Sequence, residues 1–265
     1  MAELYPRLWF RRFRPAASDA QLLLCLPHAG GVAGTFHELA THLAPKVDVL
    51  SVQYPGRQDR LDEAPFQDLR QLAQAIVAAL PQHLPRSVSL FGHSYGALLA
   101  FEIAQHLLLR DDTVDHVFLS AHGPQFAPRT NPIYPLPQDA FIAAIRSFAG
   151  PTADLLLDPM IAELSLPSLI GDLTAAETHA MNKDVHAKLC ISALYGTDDP
   201  RAMMQDLERW KDFAVRGNTA HFDLQSFEGG HLFLLEKSQE VARYILKQLS
   251  AVQTEIDAPN VALID

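Results

Sequence analysis

Cysteine is scarce, with two in 265 residues, and each of them, Cys25 and Cys190, lies in an apolar run of strand length. A disulfide-stapled secreted scaffold is thereby excluded, and two reduced core thiols are expected, since buried cysteine behaves as a small hydrophobe. Positive charge is short as well. Lys and Arg number 21 against 31 Asp and Glu, a formal net charge of −10 that excludes general nucleic-acid binding and attachment to acidic membrane surfaces, both of which need clustered cations. Any acidic partner must dock on a local basic patch. No run reaches the roughly 18 apolar residues of a membrane span, and segment 1–15 carries arginines without the following apolar run of a signal peptide, so the expected compartment is the cytoplasm. Internal repeats and low-complexity blocks are lacking too.

What is present is enough apolar material, 48% of the residues, to bury one substantial core, and one domain over 1–250 is expected. Strand-length apolar runs at 22–26, 47–53, 87–91, 117–121 and 189–195 alternate with helical patterns at 36–43, 69–80 and 97–109. That alternation implies a mostly parallel central sheet flanked by helices, the α/β class. The stretch 124–186 is far longer than a crossover needs and holds helical patterns at 138–148 and 159–164, so it reads as an inserted helical lid over the active edge of the sheet. After a helix at 239–249, segment 251–265 lacks periodicity and is expected to be a disordered tail.

Gly92, His93, Ser94, Tyr95 and Gly96 sit between a strand and an apolar helix, the setting of a nucleophile elbow that lifts a serine hydroxyl above the sheet. A serine hydroxyl is a poor nucleophile at neutral pH and needs a base backed by a carboxylate. Both follow in the chain order of this fold. The strand at 189–195 runs into Gly196, Thr197, Asp198 and Asp199; Asp199 is favoured as the orienting acid because a four-residue turn returns it over the sheet edge, leaving Asp198 as a turn acid. His231 follows a glycine pair after the run at 222–227 and is the expected base. His93 is read as a supporting residue, since neighbours on a tight turn diverge. For the oxyanion, backbone N–H groups of Tyr95 and of the loop after the first strand are the expected donors, Ala29 first and Gly30 next. No Walker lysine follows those glycines, which argues against a phosphate cradle there.

The segments PHAGG (27–31), QYPGRQDR (53–60), GHSYGA (92–97) and GGHLFL (229–234), with WFRRFRP (9–15), FEIA (101–104) and LPSLIGD (166–172), together resemble the type II thioesterases, the discrete editing enzymes of nonribosomal peptide and polyketide synthases. The resemblance implies an α/β-hydrolase fold with a helical lid. It also implies a substrate, an acyl group on the phosphopantetheine arm of an acyl or peptidyl carrier protein. A monomer that needs no metal or bound cofactor is expected. Two features depart from the family: Tyr95 stands where many members carry methionine, its ring either narrowing the acyl pocket or offering a hydroxyl, and the C-terminal tail has no counterpart. Arg57 and Arg60, beside a Pro-Gly turn, have two readings: contact with a phosphate or an acidic carrier protein, or bonds to nearby carbonyls and carboxylates. Competing functions are release of finished fatty acids, generic serine esterase activity, and a hydrolase fold kept for binding alone. The last would be signalled by loss of a triad member, and none is lost.

Overall fold

The computed structural model describes residues 5–257 apart from 85, 183–188 and 217–218. Its strands are β1 (Phe10–Arg11), β2 (Gln21–Leu26), β3 (Val47–Val52), β4 (Val88–His93), β5 (Val114–Ser120), β6 (Ile191–Gly196), a two-stranded ribbon of β7 (Val215–Arg216) and β8 (Thr219–Ala220), and β9 (Phe222–Phe227). The main sheet runs β1-β3-β2-β4-β5-β6-β9 and is parallel except at the β1 edge. β2, β3 and β4 bury almost every residue, whichever way it points, which is why β2 reads as a continuous apolar run, while β3 and β4 also bury Asp48, Ser51, Ser89 and His93. Cys25 and Cys190 are buried, as their apolar surroundings suggested.

Helices α1 (His37–Leu43), α2 (Leu69–Ala79) and α3 (Tyr95–Leu109) follow the first strands. α3 is apolar around most of its circumference and is buried from Tyr95 through Ala104, as a core helix must be. The helix that closes the chain turns its stripe of Val241, Ala242, Tyr244, Ile245 and Leu249 inward.

Between β5 and β6 stand α4 (Gln138–Ala149), a 3-10 segment (Gly150–Leu157) and α5 (Pro159–Thr178). They form the expected lid and carry their own core of Phe141, Ile142, Ile145, Ala153, Leu156 and Leu173, distinct from the core around the sheet. The periodicity at 159–164 captures only the start of α5, which runs on through Pro167 to Thr178. A proline inside a helix costs about 3 kcal/mol, and each buried Leu, Ile or Phe returns about 1.5–3 kcal/mol; the lid core outweighs the break. Asp158 caps the start by accepting from the N–H groups of Met160 and Ile161.

Two short helices, α6 (Met204–Glu208) and α7 (Phe233–Glu236), precede the long α8 (Ser238–Asp257). α8 continues past the end that its apolar stripe predicts at Leu249, so the first part of the expected tail is helical; 258–265 lie outside the described residues. The edge strand β1 and the β7–β8 ribbon, each strand only two residues long, were not predicted because such pieces are too short to show a period. No helix among the described residues is long and apolar enough to cross a membrane.

Candidate active site

Ser94 sits between β4 and α3 with φ 56° and ψ −117°, a conformation that costs a non-glycine residue about 1–3 kcal/mol and persists only when its surroundings impose it. Here they do. The Ser94 N–H donates to the Ser120 carbonyl at 2.7 Å, and the Ala97 N–H to the Ser94 carbonyl at 2.8 Å. A Cβ on Gly92 would lie 1.9 Å from the Gly96 carbonyl oxygen, and one on Gly96 would lie 2.1 Å from that of Leu26. Both glycines are therefore required by close backbone approach.

The predicted acid and base meet the serine. The Ser94 hydroxyl donates to His231 Nε2 at 2.8 Å, and His231 Nδ1–H donates to Asp199 Oδ2 at 2.8 Å. The other Asp199 oxygen accepts the Arg201 backbone N–H at 2.8 Å. Asp199 and His231 are buried, at 6% and 4% exposure, whereas Asp198 is exposed and uses its N–H on the Gly229 carbonyl, the role expected of a turn acid. The three side chains come from the C-terminal ends of β4, β6 and β9, where parallel sheets gather their sites.

His93 points away from Ser94. Its Nε2 lies 2.8 Å from the His231 carbonyl and its Nδ1 lies 2.8 Å from Ser120 Oγ. A carbonyl can only accept, so Nε2 carries the proton and the neutral ring takes a hydrogen bond from Ser120. Burial, and then the nearby His231 and His28, hold its pKa well below the imidazole range. His28 is lowered for the same leading reason, and His122 is lowered to about 3, burial again leading. These rings stay neutral in the fold while the unfolded chain takes up protons below its imidazole pKa near 6.5, so stability falls as pH drops through that value. Each contributes a slope of up to about 1.4 kcal/mol per pH unit. Urea unfolding at about pH 7 and pH 5.5 is expected to show this loss, and His93→Gln should flatten it; an unchanged pH slope in the variant would contradict a neutral His93.

Ala29 and Tyr95 both line the cavity beside Ser94. Tyr95 begins α3, where an N–H has no partner within the helix. Gly30, the second donor expected of this loop, has its N–H occupied by Asp172 Oδ2 at 2.8 Å. The Tyr95 ring is buried edge-on against Tyr54, and its hydroxyl is buried without a hydrogen-bond partner, so it presents no hydroxyl to a substrate.

Of the two readings of Arg57 and Arg60, the structure supports bonds to nearby carbonyls and carboxylates and corrects the contact with a phosphate or carrier protein. Contact with a phosphate or a carrier surface requires exposure, and they are only 4% and 3% exposed. Arg57 forms a fork with Asp172 at 2.6 and 2.8 Å and also donates to the Pro55 and Gly31 carbonyls. Arg60 pairs with both oxygens of Glu63 and donates to the Gln53 carbonyl. Burial lowers the Arg57 pKa, but the Asp172 carboxylate more than offsets it and the net shift is upward. Asp172 on α5 thus ties the lid to the loop after β2, through Gly30 and Arg57, a role sequence reading missed although it singled out the LPSLIGD segment. A partner 115 positions away leaves no local signal.

The site opens into a cavity of about 290 Å³. The lid supplies its apolar wall through Ile145, Phe148, Leu156, Ile161, Leu169 and Leu173; Glu177, Arg129 and Arg201 form a polar side. The Phe148 ring meets His231 edge-on at 5.3 Å, and the Arg201 guanidinium lies 4.4 Å over the same ring.

A family model for the thioesterase domain matches residues 21–249. A Streptomyces griseus protein described as a "probable cadicidin biosynthesis thioesterase" is 37% identical over 94% of this chain, which spans 64% of that protein's length. Thioesterase PikA5 of Streptomyces venezuelae is 36% identical, with 97% of this chain and 92% of the relative covered. Among solved structures, the type II thioesterase BorB from the borrelidin biosynthetic cluster superposes with a TM-score of 0.82 at 36% identity, over 93% of this chain and 100% of the other.

Proposed function

This chain belongs to the thioesterase domain family, and from that premise we propose that it is a type II thioesterase that hydrolyses misprimed or stalled acyl groups from the phosphopantetheine arms of carrier proteins in a peptide or polyketide synthase. The observation that carries the reading is the unbroken Ser94–His231–Asp199 hydrogen-bond relay facing the lid-walled cavity.

In this mechanism Ser94 Oγ attacks the thioester carbonyl carbon while His231 Nε2 takes the hydroxyl proton. Asp199 holds the imidazolium that results. The N–H groups of Ala29 and Tyr95 receive the negative charge on the carbonyl oxygen. As the tetrahedral intermediate collapses, the C–S bond breaks and His231 returns the proton to the departing sulfur, freeing the arm as a thiol. Water then adds to the acyl-serine, His231 again taking and returning the proton, and a carboxylic acid leaves. The steps call for no metal or bound cofactor, and the enzyme acts as a monomer.

A cavity of about 290 Å³ stands at the lower edge of the roughly 300–1,000 Å³ usual for small-molecule pockets, which favours short acyl groups over finished fatty chains. The test is a series of acylated carrier proteins from about two to sixteen carbons, with a simple ester of each acid for comparison. kcat/KM is expected to fall about tenfold or more toward the long end and to be higher for the carrier-bound thioester than for the ester. Preference for the longest chain would make the enzyme a chain-releasing one; equal rates on ester and carrier would make it a generic esterase.

A further inference from the structure

We propose that Arg129, together with Arg201 and Arg209, forms an anion site that receives the phosphodiester of the substrate's phosphopantetheine arm as the arm leaves the catalytic cavity. The inference rests on the thioesterase reading and adds to it the residues that hold the arm. A second, open groove of about 600 Å³ adjoins the catalytic cavity, and the two share His122, Arg129 and Arg201 as a common wall. With the acyl group against the apolar lid wall, the rest of the substrate must leave by a polar side. The polar side leads into this groove.

The groove is cationic in a chain of net charge −10. Arg129, Arg201 and Arg209 line it, with Asp206 the carboxylate beside them. Arg201 is partly neutralised by Glu177 Oε1 at 3.3 Å; the other Glu177 oxygen is taken by the N–H groups of Ile133 and Tyr134. Arg209 lies 5.0 Å over the Phe126 ring. Arg129 is half-buried, and among the described residues no carboxylate lies within 4.0 Å of its guanidinium. Its pKa is lowered, first by burial and then by the Arg201 charge, which Glu177 and Asp206 do not offset. His122 is held neutral and adds no charge. A half-buried guanidinium short of counter-charge is suited to the paired N–H contacts that phosphate oxygens accept.

The N-terminal arginines show the contrast. Arg11 is paired with Asp59, and Arg12 with Asp48, so the charge run at 11–14 is largely spent within the fold. Arg129, beside the catalytic cavity, has no such carboxylate partner among the described residues.

The experiment compares a short acyl group on phosphopantetheine with the same group on pantetheine, which differs only by the phosphate. The wild-type enzyme is expected to have a KM about tenfold lower for the phosphorylated arm, and phosphopantetheine is expected to inhibit competitively at lower concentration than pantetheine. Arg129→Gln should erase that preference, Arg209→Gln should reduce it, and Arg129→Lys should retain part of it. Equal KM values and equal inhibition in the wild type, or a preference undiminished in Arg129→Gln, would overturn the assignment; the inhibition arm needs no variant and stands if one misfolds. A variant that selectively loses malonyl over acetyl substrates on one arm would also overturn it, since the cation would then serve an acyl carboxylate. If the wild type cleaves none of these thioesters, the proposed function itself fails, an outcome separate from these.

Discussion

Turnover of an acylated carrier protein is expected to fall by roughly 10⁴ to 10⁶-fold when Ser94 is replaced by alanine, with the fold intact. Alanine accepts the same positive φ at a similar cost, and the anchors of the elbow are backbone groups, the Ser120 and Ser94 carbonyls and the glycine contacts, none of which needs the hydroxyl. What is lost is the atom that bonds to carbon. The covalent intermediate gives the decisive readout: mass spectrometry of the wild type quenched during turnover should show the chain heavier by one acyl group, and Ser94→Ala should show no adduct. Because the relay acts as a unit, adding His231→Ala to Ser94→Ala should lower the rate little further. An adduct persisting in Ser94→Ala would remove the serine from the chemistry.

Asp172 is the second position where a large effect is expected, and it separates stability from catalysis. Asp172→Leu leaves the Arg57 guanidinium buried and unpaired, a change worth about 3–5 kcal/mol of unfolding free energy. Removing both charges in Arg57→Met/Asp172→Leu should recover most of that loss, since a well-packed apolar pair replaces a buried ion pair with little penalty. kcat should not recover. Gly30 loses the acceptor of its N–H in either case, and Ala29, one residue before it and the oxyanion donor in the proposed mechanism, is no longer held in place, for which a shift of about 1 Å can mean 10²-fold in rate. Urea unfolding and kcat on the same three proteins decide the matter; a double variant with wild-type kcat would reduce Asp172 to a purely structural residue.

The parts of the site legible in the sequence are those whose signal is local. Gly92 through Gly96 announce the elbow because the constraint is a close approach within one turn, and Asp199 and His231 are placed by short offsets from glycines at strand ends. The parallel sheet follows from apolar runs of the right length, and the lid from a connection too long to be idle. The extent of α5 was not legible, since Pro167 reads locally as a stop and only packing against the lid core overrides it. Arg57 and Arg60 look like surface cations beside a turn; that they are buried depends on Asp172 and Glu63 meeting them, which in the case of Asp172 is a tertiary event with no nearby trace. The cationic groove is invisible for the same reason, being assembled from arginines of the β5–α4 connection and of the segment after β6.

The lid's separate hydrophobic core has an evolutionary corollary. The side chains that enclose an acyl group come mainly from 145–173, while the groups that make and break bonds come from the ends of β4, β6 and β9. Substitutions that widen or narrow the chamber therefore fall on a segment that folds around its own interior and, Phe148 against His231 apart, leave the reacting groups untouched. Selection can retune which acid is released without renegotiating how it is released, provided the single fork between Asp172 and Arg57 is kept.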